Sequence, residues 1–248
     1  MNPYLRNLEK LEFAVTFACT GRCRHCSEGG HKDGAMIDPA LAAQAVSRIA
    51  ERVSLQTVMA FGGEPLLHPE AVYAILQAAR EAGVPRRQII TNGYFTRSAE
   101  ERARVAFRLA QVGVNDLLLS VDAFHQETIP LSCVRQFAEE AVARGIPLRL
   151  QPAWLVGREA DNPYNRKTGE ILASFADLGI PVGAGNVVFP EGNAKKYLAE
   201  YLEGTAVENP YVEDPRDVRC VSVSPDGRVL HGNLYEEDIL NILENYKP

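Results

Sequence analysis

Short apolar runs alternate with longer stretches of helical periodicity over most of the chain. Glu12–Phe17, Thr57–Phe61, Gln88–Thr91, Asp116–Val121, Pro147–Trp154 and Asn186–Phe189 read as six strands. Between them the pattern predicts helices opened at Asp38-Pro39, over Pro69–Ala82, from Ser98 to Val112, over Pro130–Arg144 and near Thr168–Leu178. Asp38 suits a helix N-cap and Pro39 the first helical position. Strand-then-helix units in this order predict an α/β fold with a parallel sheet, either an open doubly wound sheet or a partial barrel. The strands read as continuous apolar runs, as expected where both sheet faces are covered. After residue 194 the rhythm breaks. Pro225-Asp226-Gly227 predicts a turn between two short strands, and Glu236–Tyr246 a closing helix. The expected division is a core of residues 1–194 with a C-terminal extension, 195–248, packed on it.

The polar residues that interrupt this pattern gather where strands end, in CTGRCRHC, GGEP, TNG, SVDAFHQ, QPAWLVGRE and FPEGN. Ligands of parallel α/β folds bind at the carboxyl ends of strands, so these segments are expected to share one face. Gly157–Lys167 is expected to be a long polar loop, with Arg158, Asp161, Tyr164 and Arg166 as substrate-contact candidates.

Composition narrows the classes. A chain of 248 residues with 46% hydrophobic content can bury a sizeable core. A formal net charge of −6 argues against a nucleic-acid backbone as partner, and there is no basic block for an anionic membrane. No apolar run reaches the roughly 18 residues of a membrane span, and the N-terminus lacks signal-peptide features. The expectation is a cytoplasmic protein, where clustered cysteines read as metal ligands or redox groups before disulfides.

Cys19, Cys23 and Cys26 form such a cluster, spaced C-x3-C-x2-C. Structural zinc takes four ligands, and His31 is placed to complete a Cys3His site. An iron–sulfur cubane held by these thiolates alone would keep one iron open. In GGEP, Gly62 and Gly63 permit close backbone approach and Glu64 offers a carboxylate to an ammonium group; a tight strand-to-helix turn is the plainer reading.

Together the two motifs, about one βα unit apart, resemble the radical S-adenosylmethionine (radical SAM) superfamily over roughly Phe13–Gly192. The resemblance implies a partial (β/α)6 TIM-like barrel, here with a short C-terminal β-hairpin plus helix extension. It implies a 4Fe–4S cluster on Cys19, Cys23 and Cys26, with S-adenosylmethionine chelating the fourth iron through its amino and carboxylate groups. Gly62, Gly63, Glu64 and Pro65 would hold the methionine end, with Asn92, Ser120 and Asp122 as further cofactor contacts. An electron from a donor such as flavodoxin or ferredoxin would cleave the cofactor to a 5′-deoxyadenosyl radical, which abstracts a hydrogen atom from a peptide or small molecule. Phe189–Ala194 resembles a loop beside the adenine in which relatives commonly carry an arginine; this chain has Asn193.

Cys220 resembles the start of the cysteine-rich extension of peptide-modifying members, but His231, Gly232 and Asn233 stand where a further cysteine is expected. The extension reads as degenerate, with Cys220 and Cys133 structural and no auxiliary cluster. No separate leader-peptide-binding domain is expected. His125 is a candidate general acid or base, or else a surface histidine. Two alternatives stay open at this level: a zinc-stabilised, noncatalytic binding protein with a Cys3His site, and an iron–sulfur electron-transfer protein.

Overall fold

The computed structural model describes residues 2–29 and 34–248. His31, a candidate zinc ligand, lies outside the described residues. The chain runs β1 (Lys10–Ala14), α1 (Pro39–Ala50), β2 (Thr57–Phe61), α2 (Pro69–Glu81), β3 (Arg86–Thr91), α3 (Ala99–Val112) and β4 (Asp116–Ser120). A short α4 (Ala123–Gln126) precedes α5 (Leu131–Ala143), β5 (Leu148–Gln151), β6 (Ala153–Leu155), α6 (Pro163–Ala173) and β7 (Asn186–Val188). The remainder forms α7 (Gly192–Tyr197), α8 (Ala199–Leu202), β8 (Cys220–Val223), β9 (Arg228–Val229), β10 (Gly232–Asn233) and α9 (Ile239–Asn245).

Helix starts follow local chemistry. Asp38 accepts a hydrogen bond from the Leu41 amide with Pro39 at the first position, and Ser98 caps α3 through the Glu101 amide. The same logic corrects one expectation. Asn162 accepts from the Asn165 amide and Pro163 opens α6, so the helix starts well before Thr168 and the polar loop is shorter than Gly157–Lys167.

Strands β1 to β5 lie side by side in chain order and all parallel. The fifth strand breaks at Pro152, which has no amide hydrogen for the ladder; beyond it β6 pairs with β7 instead of β4. Sequential order with one helical layer selects the partial barrel over the doubly wound sheet, and the barrel does not close among the described residues. Leu11, Phe13, Val58, Ala60, Ile89, Leu117, Leu119 and Leu150 face outward and pack against Val46, Ile49, Ile75, Leu76, Leu109 and Phe137 of the helices in one continuous core.

The alternate residues face inward, and here the strands are not uniformly apolar. Lys10, Glu12, Gln88, Asp116, Arg149 and Gln151 occupy inner positions, β1 and β5 alternating buried and half-buried along their lengths. The reason is architectural: helices cover the outer face, while the inner face of an unclosed barrel keeps some contact with solvent. On this face Lys10 pairs with Glu12 at 2.6 Å, and Asp116 accepts from Gln88 at 2.7 Å and Arg149 at 3.1 Å.

The C-terminal segment continues the sheet. β8 pairs in parallel with β1, Lys10 opposite Cys220 through Phe13 opposite Val223, and β9 and β10 extend it as an antiparallel meander. The Asn2 side chain donates to the carbonyls of Leu243 at 3.0 Å and Tyr246 at 2.7 Å, tying the start of the chain to the end of α9.

Candidate active site

The cysteine segment leaves β1 and returns as a loop whose base is closed against itself. Ile37 donates to the Val15 carbonyl at 3.0 Å, and the Thr16 hydroxyl donates to the Ala35 carbonyl at 2.9 Å. Between these ends, four neighbouring strand-end segments grip the loop in succession.

The first grip is GGEP after β2. The Gly63 amide donates to the Thr16 carbonyl and the Glu64 amide to the Ala18 carbonyl, each at 2.8 Å. A Cβ on Gly63 would lie 2.1 Å from the Ala18 oxygen, and one on Gly62, at φ +130°, would lie 2.7 Å from the Thr16 oxygen. Both glycines are therefore required by the approach of two backbones. Pro65 is buried and opens a short 3-10 turn.

The second grip comes from TNG after β3. Asn92 is buried, and its side-chain amide donates to the Thr20 hydroxyl at 3.1 Å and toward the Cys19 sulfur at 3.6 Å. The third follows α4, where the Thr128 hydroxyl accepts from the Arg22 amide at 3.1 Å and Ile129 packs against Gly21. The fourth follows β7. The Asn193 amide donates to the Cys26 carbonyl at 2.8 Å, and its side chain donates to the Cys23 carbonyl at 3.0 Å.

Cys19, Cys23 and Cys26 are free thiols. Burial pushes Cys19 up to about 11 and raises Cys23 and Cys26 as well, so the metal-free thiols are protonated at neutral pH and a metal must displace their protons. The other two free cysteines lie elsewhere, Cys133 on α5 and Cys220 on β8. Cys220 stands opposite Lys10, roughly four strand residues or about 13 Å of rise below the loop. The donor set fits a group held by three thiolates with one position left open.

Glu64 is fully buried, and its carboxylate is committed largely to its own chain. Oε1 accepts from the Leu66 amide at 3.0 Å and the Thr91 hydroxyl at 2.6 Å, and Oε2 from the Asn92 amide at 2.8 Å. Burial pushes its pKa up to about 7, against these three bonds, which favour the charged form. A carboxylate has about four acceptor sites, so one remains toward an incoming ammonium.

Asp122 is also fully buried and turned inward. It accepts from the His125 amide at 2.9 Å, the His125 ring Nδ1 at 2.8 Å and the Ala153 amide at 3.0 Å. Burial opposes its ionisation, yet His125, by charge and by hydrogen bonding, together with His25, holds its pKa down to about 2. Ser120 is buried at the end of β4, opposite Gln151.

His125 sits on α4 rather than on a loop, its ring 4.8 Å from that of His25, which also contacts Phe124 at 4.9 Å. Donor atoms of Cys23, His25 and His125 all fall within 4.8 Å of one another, so His125 faces the cysteine loop rather than open solvent. Burial, with His125 adding to it, lowers His25 to about 4, leaving its ring neutral with a buried Nδ1 that has no protein partner. Tyr164 stacks on Phe124 at 4.4 Å and accepts from Arg24 at 3.3 Å, on the cysteine-loop side. Arg158 lies over the Trp154 ring at 5.9 Å, and Asp161 pairs with Arg166 on the surface.

The sequence profile of the Radical SAM superfamily matches residues 13–148, more than half of the chain. The chain belongs to the radical SAM superfamily. It is accordingly an enzyme of S-adenosylmethionine-dependent radical chemistry, with a 4Fe–4S cluster and S-adenosylmethionine as cofactors. It is 24% identical over 217 residues to a probable GTP 3′,8-cyclase of Saccharolobus islandicus, covering 82% of this chain and 67% of the cyclase.

Among solved structures it resembles Streptococcus suis SuiB bound to S-adenosylmethionine, with a TM-score of 0.64 at 13% identity, over 96% of this chain and 66% of SuiB. It also resembles anSMEcpe with bound AdoMet and a peptide, with a TM-score of 0.63 at 15% identity, over 96% of this chain and 80% of that one. At these identities the structures establish the radical SAM fold. The chain spans about two thirds of the length of the cyclase and of SuiB. No helix among the described residues is long and apolar enough to cross a membrane.

Two features of this site lie beyond what the sequence of a radical SAM chain displays. Thr128 anchors the site through a hydroxyl that nothing in the local pattern marks, and Thr91, although part of TNG, carries no sign of its bond to Glu64. Asn193 stood out only as a departure from arginine; the glycine before it, at a strand end, was the available signal of close backbone contact.

Proposed function

We propose that Cys19, Cys23 and Cys26 hold the 4Fe–4S cluster and that Gly62–Pro65 receive the methionine end of S-adenosylmethionine. With both groups bound, that site would supply reductive cleavage of S-adenosylmethionine and, through it, hydrogen-atom abstraction from the substrate. The observation that carries this reading is the loop itself, with its three free thiols and its backbone held from four sides. The chain's own part is to fix the thiolates, and with Glu64 and Asn92 to keep the GGEP and TNG segments in register beside them. Ser120 and Asp122 then act chiefly as framework, and Asp122 holds the His125 ring by its Nδ1.

The substrate, a peptide or small molecule, would lie against the inner sheet face. Its mixed charge, with Lys10, Glu12, Asp116 and Arg149 around Phe61, Ile90 and Leu118, suits a molecule with polar groups more than a lipid. The electron would come from a low-potential donor such as flavodoxin or ferredoxin. Anaerobically reconstituted protein, reduced in the presence of S-adenosylmethionine, is expected to release 5′-deoxyadenosine. Protein loaded with iron and sulfide that yields none would overturn the reading. Glu64→Ala should retain iron and bind the cofactor more weakly in an equilibrium titration.

A further inference from the structure

We propose that Asn193, with Gly192, is a positioning residue for the cluster, locking the turn between Cys23 and Cys26; this rests on the proposed role of these cysteines. Two of the three thiols sit on one short turn, closed by the Cys26 amide on the Cys23 carbonyl at 3.3 Å. Asn193 takes both carbonyls of that turn, Cys26 through its backbone amide at 2.8 Å and Cys23 through its side chain at 3.0 Å.

The backbone donor is available for a definite reason. Asn193 lies in the first turn of α7, where amides have no intrahelical acceptor, and Glu191 provides no side-chain cap. The Cys26 carbonyl fills that role. Gly192, at φ +52°, makes the approach possible: a Cβ there would lie 2.1 Å from the Ser27 oxygen and 2.6 Å from the Cys26 oxygen, both backbone atoms. On the other side, a Cβ on Gly29 would lie 3.6 Å from the Gly192 Cα.

The two elements interlock. A flexible arginine at position 193 would offer no such short, fixed donor. The chain thus ties the loop after the sixth barrel strand directly to the turn that sets the separation of two ligands. Groups that orient metal ligands typically change metal affinity about 10- to 100-fold when removed.

The test compares wild type, Asn193→Ala and Asn193→Asp after anaerobic reconstitution. Ala removes the side-chain donor without adding charge, while Asp keeps the volume but replaces the donor with a charged acceptor facing the Cys23 carbonyl. Both variants are expected to surrender iron to a chelator about tenfold faster or more, and to show an altered electron paramagnetic resonance spectrum of the reduced cluster. Wild-type rates and spectra in Asn193→Asp would overturn the proposal.

Should either variant fail to fold by circular dichroism, amide hydrogen exchange on the wild-type chain decides. The Asn193 and Cys26 amides should be protected with or without metal, and free exchange at both would overturn the proposal. Wild type that forms no 4Fe–4S cluster would sink the cysteine assignment instead, while exchange still reports on the lock.

Discussion

Glu64 shows how a single residue can serve a site through its own chain. Its carboxyl, expected to face an ammonium group, spends three acceptor sites on Leu66, Thr91 and Asn92. With a folded pKa of about 7 against the ordinary 4.5, the folded chain keeps, between these pH values, a proton that the unfolded chain has lost. Its effect on stability is therefore a loss that grows as pH rises from about 4.5 to 7 and is complete above that, about 3 kcal/mol in all. The cluster-free Glu64→Gln variant should show a flatter dependence of urea midpoint on pH across this window than wild type. Equal slopes would mean that Glu64 is ionised in the folded chain throughout. The motif was legible at this scale because glycines and cysteines at strand ends are rare and specific. The carboxylate's partners were not, since Thr91 lies 27 residues away in sequence.

At the scale of elements, all six barrel strands and the principal helices were legible, several to within a residue, because caps such as Asp38-Pro39 and Ser98 are local. The instructive miss is Asn162-Pro163, the same kind of pair as Asp38-Pro39, which reads as loop only because polar residues surround it. Its neighbour Asn165 organises the segment after β6. It donates to the carbonyls of Gly157 and Ala160, each at 2.8 Å, and accepts from the Leu155 amide at 2.9 Å. Asn165→Ala removes the acceptor of the buried Leu155 amide and one of the donors to each carbonyl, and should cost about 1–3 kcal/mol in urea unfolding. An unchanged midpoint would show that water replaces the amide freely. The parallel pairing of β8 with β1 was not legible, because strand partnership across more than 200 residues leaves no mark in either local pattern.

For the whole molecule, the expected partial barrel stands, while the expected uniform burial of the strands does not. Helices cover the outer sheet face, and the inner face keeps polar side chains in partial contact with solvent. Because four strand-end segments each hold the cysteine loop by protein hydrogen bonds, loading the metal should not create the fold. Far-UV circular dichroism of the cluster-free and reconstituted proteins should superimpose. A large gain in signal on reconstitution would mean that the loop is organised by its metal.

The pairing of β8 with β1 also bears on how the chain acquires this structure. During synthesis, β1 can find β2 early, but its other edge has no native partner until residues beyond Val223 have emerged from the ribosome. Contacts of such sequence separation are slow to form, and an unpaired parallel edge is a site of misassembly. The bonds from Asn2 to α9 must wait longer still, until Tyr246 has been made. The strand that leads into the cysteine loop is thus fully seated only after about two hundred further residues have been made, so the framework for the cluster matures late, well after its three thiols first appear.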